Sequence, residues 1–268
     1  MKKNTFGMPT LIENDTLKKN IALCRRLGLD FIELNMNFPE YQLDALKDTE
    51  RLNKLAEDSD ISFTIHLDER LDPADFNPVV RQAYLETVCR VIDTANAIHA
   101  PIINMHMNPG IYITLPDRKV WMYSRDLEIY MRNIIEFKAL CGSMLNGSDT
   151  IISIENTDGF ADFEARAIDE LLTLKNFALT WDIGHSKAAK EIDLPFINKR
   201  IDRLKHMHVH DGTEKSAKNH LALGDGEIDL ISRLETASEH DCRCVLETKT
   251  IAALEKSVTW LKEHGFYE

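Results

Sequence analysis

Residues 206–212 read His-Met-His-Val-His-Asp-Gly. His206, His208 and His210 alternate with Met207 and Val209, so on an extended chain three imidazoles share one face and two apolar side chains the other. A buried strand ordinarily turns its apolar side chains to the core. For this stretch alone two plain readings stand open, a solvated strand face or core histidines with hydrogen-bond partners. A third, in which the histidines line an enclosed site, depends on what the other strands do.

Short runs rich in Ile, Val, Phe and Met predict strands over Thr5–Met8, Asp30–Met36, Ser62–Leu67, Ile102–Met107, Thr150–Asn156, Phe177–Asp182, Leu204–Asp211 and Cys242–Thr248. Segments of helical period separate them. Residues 79–100, VVRQAYLETVCRVIDTANAIHA, carry a stripe of Leu85, Val88, Cys89, Val91, Ile92 and Ala95, and Ile251–His264 repeats Leu254, Val258 and Leu261. Strand-helix alternation about eight times in one chain predicts an α/β fold, a single (β/α)8 TIM barrel over residues 1–268, with a doubly wound open sheet as the alternative. No linker divides the chain. Two irregular pieces stand out, residues 108–124 after the fourth strand, read as a loop over the site, and residues 212–229 after the seventh.

Strand ends share one register. Ser62, Thr64 and His66 alternate with Ile61, Phe63 and Ile65; Asn104 and His106 with Ile103 and Met105; Ser153 and Glu155 with Ile152 and Ile154; Thr180 and Asp182 with Leu179 and Trp181. Glu33 lies between Ile32 and Leu34, and Glu247 closes CVLET. In a closed barrel the apolar set faces the helices and the other set points inward, its last members at the mouth. The histidine face of residues 206–210 then looks inward too. Carboxylates and imidazoles crowded at one mouth need charge compensation, which a divalent cation supplies; mixed Glu, Asp and His donors suit Zn²⁺ or Mn²⁺.

Glu155, Asp182, His208 and Glu247 are the expected metal ligands. His66 and His106 are candidates for a second metal or for substrate contact, and His185 and Glu33 for substrate contact. His206 and His99 read as structural, and His210 and Asp211 belong either to the site or to the loop that follows. Trp121 and Tyr123 have three open readings: pocket wall, dimer contact or core.

The chain has 268 residues, 44 Asp plus Glu against 32 Lys plus Arg, and a formal charge of -12. Such a balance disfavours a nucleic-acid groove and points to a small substrate. No window is apolar enough to span a membrane, and a cytoplasmic protein is expected, with a monomer and a homo-oligomer both open. The five cysteines show no CxxC spacing and read as reduced and structural.

The ordered series NAIHAPIINMH (96–106), ISIEN (152–156), LTWDIGHS (179–186), HMHVHD (206–211), NHLALGDGEID (219–229) and CVLET (244–248) resembles the xylose-isomerase-like barrel superfamily along nearly the whole chain. That superfamily contains sugar and sugar-phosphate isomerases and epimerases and the endonuclease IV type of DNA repair enzyme. His99 stands where the family segment has glycine. By the resemblance Glu155, Asp182, His208 and Glu247 correspond to the epimerases' metal site, and His66, His106, His185 and His220 match further endonuclease positions. Lys218 replaces an endonuclease Asp, which disfavours a third zinc; it neutralises a substrate oxygen or is a solvated loop lysine. The resemblance and the acidic balance imply an isomerase or epimerase of a polyhydroxy or sugar-phosphate substrate. Glu155 and Glu247 would exchange the proton through a metal-stabilised enediolate, and His185 would hold a substrate oxygen. The alternatives are a two-metal hydrolase of abasic DNA using His66, His106 and Glu155, and a catalytically silent sugar- or partner-binding barrel.

Overall fold

The outward positions of the strands are almost wholly Ile, Leu, Val, Met and Phe, buried against a shell of helices. In the computed structural model, which describes residues 4–267, eight parallel strands form a closed barrel. They are β1 (Thr5–Pro9), β2 (Phe31–Asn35), β3 (Ser62–His66), β4 (Ile102–His106), β5 (Ile151–Glu155), β6 (Phe177–Asp182), β7 (Leu204–Val209) and β8 (Arg243–Leu246). Closure comes from β1 pairing with β8, Thr5 opposite Arg243 and Gly7 opposite Val245. The open-sheet alternative is thereby excluded. Residues 1–3 and 268 of the expected 1–268 unit lie outside the described residues.

Ile32, Leu34, Phe63, Ile65, Ile103, Met105, Ile152, Ile154, Leu179, Trp181, Met207, Val209, Cys244 and Leu246 are all buried on the outer face. Each large apolar side chain so buried contributes roughly 2 kcal/mol. The helix Pro78–Ala97 shows how the shell is built. Asn77 caps it by accepting from Val79 N, Pro78 occupies the first turn, and Leu85, Val88, Val91, Ile92 and Ala95 turn to the core. Cys89 does not share that face fully and is half-buried. All five cysteines are free thiols.

Inside, the floor at the strands' N-terminal end is filled by the Phe31 ring. A Cβ on Gly7 would overlap that ring, which is why β1 carries glycine there. The Arg243 guanidinium lies 5.5 Å from the ring centre and covers it from β8. Above this layer the interior turns polar.

Three features were not anticipated. The register of β6 against β7 shifts between Leu179 and Thr180, which skips Lys205 and sets Thr180 opposite His206 and Asp182 opposite His208. Residues 108–124 are not simply loop: Tyr112–Thr114 pairs with Lys119–Trp121, followed by a helical turn, Met122–Arg125. The strand expected over Leu204–Asp211 ends at Val209, and Asp211–Thr213 pairs instead with Lys218–Leu221. No helix among the described residues is long and apolar enough to cross a membrane.

Candidate metal centre

Glu155 and Asp182 are the last residues of β5 and β6, His208 is the penultimate residue of β7, and Glu247 follows β8 directly. Each offers one ligand atom, and these four atoms lie within 4.8 Å of one another. His208 Nδ1 stands at their centre, 3.2 Å from Glu155 Oε1, 3.3 Å from Glu247 Oε2 and 3.9 Å from Asp182 Oδ2. All four residues are buried.

Each is aimed by its neighbours. Asn156 Oδ1 accepts from Asp182 N at 2.8 Å, and its Nδ2 donates to the Asp182 carbonyl at 2.9 Å and to Asp193 and Ser186. Asp182 itself caps the helix Ile183–Ala188 by accepting from His185 N. His210 Nε2 lies 2.9 Å from Asp182, and His220 N lies 2.7 Å from His210 Nδ1. An amide N–H pointing at Nδ1 makes that nitrogen the acceptor, so Nε2 carries the proton and donates it to Asp182. His210 thus belongs to the site. Asp211 does not: its carboxylate accepts from Gly212 N, Gly224 N, Gly226 N and Ile228 N and holds the loop.

Glu155 accepts from Asn104 Nδ2, and Asn104 Oδ1 accepts from Thr180 Oγ1 at 2.6 Å. Lys249 Nζ meets Glu247 Oε1 at 2.9 Å. Gly184 is required because a Cβ there would overlap the His210 imidazole. Asn104 could be read from the sequence as an inward residue. Lys249 and Gly184 gave no such signal, since one acts through a long flexible side chain and the other by lacking one.

Glu33 sits deeper in the barrel than Glu155. It is 1% exposed and lies beneath His208, with Oε1 2.9 Å from His208 Nε2 but off the line of a hydrogen bond. Its Oε2 accepts from His206 Nε2 at 3.0 Å and from Thr64 Oγ1 at 3.1 Å. From that position it supports His208 from below. His206 is fully buried and, with Glu33 and His208, forms a further group of ligand-type atoms within 4.8 Å of one another.

His66 Nε2 approaches Glu155 Oε2 at 3.4 Å and groups with Glu155 and His208. His106 Nε2 is 3.0 Å from the same Glu155 Oε2, and the two imidazole rings stand 5.0 Å apart, edge to face. His185, His210 and His220 form another close group, with His185 Nδ1 3.2 Å from Asp182 Oδ2. His220 Nδ1 is 2.9 Å from the Glu247 carbonyl. Lys218 is exposed on its hairpin and makes no ion pair among the described residues. Tyr123 is in the core, Trp121 is half-buried against Tyr112, and His99 is exposed at a helix end with φ 55°.

Burial by itself would push Glu33, Glu155 and Glu247 up, but the surrounding imidazoles, His208 foremost, hold all three well below the usual carboxylate range. Burial opposes charge on His208 too, and is overridden by Glu155, Glu33 and Glu247. His185 is raised to about 10 against burial, chiefly by Asp182 and Glu155, while burial and the neighbouring His210 lower His220 to about 4.

His106 Nε2, His185 Nδ1, His208 Nδ1 and Glu247 Oε2 are buried without a hydrogen-bond partner. Buried polar atoms in folded proteins are nearly always paired. Three carboxylates and an imidazole nitrogen within one coordination radius, with orphaned atoms among them, fit a divalent cation of the Zn²⁺ or Mn²⁺ kind.

A closed parallel barrel with carboxylates and imidazoles gathered at the C-terminal ends of its strands defines a class of proteins. Residues 21–264 match the family described as xylose isomerase-like TIM barrel, and the chain belongs to that family. Among solved structures it is similar to a D-tagatose 3-epimerase-like protein, at 23% identity and a TM-score of 0.77 over 97% of this chain and 96% of that one. It is similar to the 3-keto-D-glucoside 4-epimerase of E. coli at 15% identity and a TM-score of 0.76, over 97% and 100%. The zinc-bound IOLI protein follows at 13% and 0.72, over 98% and 99%. No curated protein matches the chain in sequence.

Proposed function

We propose that the protein is a metal-dependent sugar epimerase or isomerase that moves a proton on the carbon beside a carbonyl of a polyhydroxy substrate. The observation that carries this reading is the pair Glu155 and Glu247, two buried carboxylates from strands on different sides of the mouth, gathered with Asp182 and His208 around one centre. The epimerases among the structural neighbours support it.

Glu155, Asp182, His208 and Glu247 would hold the cation, Zn²⁺ or Mn²⁺, as the zinc in the IOLI structure also suggests. When bound, it supplies charge stabilisation for the enediolate that forms as the proton leaves. The chain's own residues do the rest. One glutamate takes the proton and the other returns it, with inversion when they act on opposite faces. Asn104 holds Glu155 by donating to its Oε2, and Lys249 holds Glu247 by its Oε1. His185, whose Nδ1 has no partner, is placed to donate to a substrate oxygen. The buried site excludes water that would otherwise compete for the proton.

The test is incubation of manganese-loaded protein with a panel of ketoses in deuterated water, followed by NMR. Epimerisation with deuterium at the inverted carbon is expected. Nicking of abasic duplex DNA, with no exchange into any sugar, would replace this reading with the hydrolase.

A further inference from the structure

A cavity of about 330 Å³ lies between the segments that leave β3 and β4, outside the metal centre. Its size is at the lower end for small-ligand sites. Arg70, Asp75, Phe76, Tyr84 and Asn108 line it. Asn108 is two residues beyond His106, a chain span of at most about 7 Å, which puts this wall of the cavity next to the mouth.

The cavity's chemistry is mixed. The Arg70 guanidinium, the Tyr84 hydroxyl and the Asn108 amide N–H make no hydrogen bond to protein among the described residues. Asp75 spends Oδ1 on Asn77 N and keeps Oδ2 as a free acceptor. The Phe76 ring is 37% exposed, standing edge to face against Tyr123 at 4.9 Å. Donors, an acceptor and an aromatic surface suit a ring that carries hydroxyls on its rim and C–H groups on its faces. The lining carries both signs of charge, Arg70 against Asp72 and Asp75, so a neutral hydroxylated ligand can use the donors and the acceptor without leaving a like charge opposed. A wholly apolar ligand would strip water from the three donors without replacing it.

The wall is rigid. Tyr123 is 4% exposed and donates to Asp72 Oδ2, and Asp72 Oδ1 accepts from Ala74 N at 2.9 Å. Gly110, with φ 69°, lies so close to the Tyr123 ring that a Cβ would overlap it. Binding there needs little reordering of the protein.

We propose that this cavity is a subsite for a second sugar ring, so that the substrate at the mouth is a carbonyl-bearing two-ring sugar, a keto-glycoside or a reducing disaccharide, rather than a free monosaccharide. The substrate class rests on the epimerase reading given above; the ring-binding cavity does not. Zinc-loaded protein is examined by saturation-transfer NMR with methyl β-D-glucopyranoside as the probe. Transfer is expected in the wild type and in Glu155→Gln, and is lost in Phe76→Ala and in Arg70→Ala. Absence of transfer in the wild type, or its persistence in both cavity variants, overturns the subsite.

The second measurement is turnover of cellobiose and its 3-keto derivative against the corresponding free hexoses. Phe76→Ala should raise KM for the two-ring substrates about tenfold and leave the free hexoses unchanged. Equal effects on both overturn the substrate class. No turnover of any sugar, with probe transfer still dependent on Phe76, refutes the epimerase reading and leaves the subsite standing.

Discussion

The two ends of the barrel are built from the same eight strands and could hardly differ more in how their polar atoms are satisfied. At the floor, Phe31 fills the space that Gly7 vacates and Arg243 lies over its ring. At the mouth, nitrogen and oxygen atoms of His106, His185, His208 and Glu247 are buried without partners. A floor packed with apolar volume gives stability, whereas a mouth of orphaned polar atoms is costly unless something binds it. The difference separates what holds the cylinder shut from what the cylinder is for.

The sharpest way to break this division is at the mouth. Glu155→Gln and Glu247→Gln should each lower turnover by about 10²–10⁴-fold while circular dichroism and the melting temperature stay close to wild type. Collapse of the fold in both would mean that the mouth, too, is structural. The converse test is Phe31→Ala, which should cost about 3–5 kcal/mol in denaturant unfolding and leave metal affinity unchanged.

Glu33 lies between the two zones and sharpens the boundary. Its contact with His208 Nε2 predicts that Glu33→Gln weakens metal binding about 10–100-fold in a chelator competition, with little change in stability. A loss of stability without a loss of metal would assign Glu33 to the floor.

Glu164, on the mouth side, tests whether burial without a cation also leaves a cost. Burial raises its carboxyl to about 7, against a hydrogen bond from Ala161 N at 2.7 Å. A carboxyl raised on folding contributes stability that is complete below the unfolded value near 4.5 and is lost as pH climbs through about 7. Unfolding free energy should therefore fall by about 2 kcal/mol across that window, and Glu164→Gln should flatten the decline. The smallest effect belongs to the floor side, where His99 adopts φ 55° in the helix-ending position that favours glycine. His99→Gly should raise stability by about 0.5–1 kcal/mol.

What the sequence by itself determined was the sidedness of the strands. Period-two alternation assigns Glu155, Asp182, His208 and Glu247 to one face and Ile154, Trp181, Val209 and Leu246 to the other, and it does so wherever neighbouring strands run. Height was not legible. Glu33 and Glu155 are both inward, yet the stagger of a closed barrel puts one beneath His208 and the other beside it. Nor could alternation foresee the skipped residue at Lys205, the antiparallel pairs inside both long connections, or the reach of Lys249 to Glu247. The proton on His210 is set by the amide of His220, ten residues away in the chain, and the room for its ring by Gly184 in the helix that follows another strand. Local pattern selects a face because backbone geometry repeats along each strand; only closure of the whole cylinder decides which atoms on that face meet.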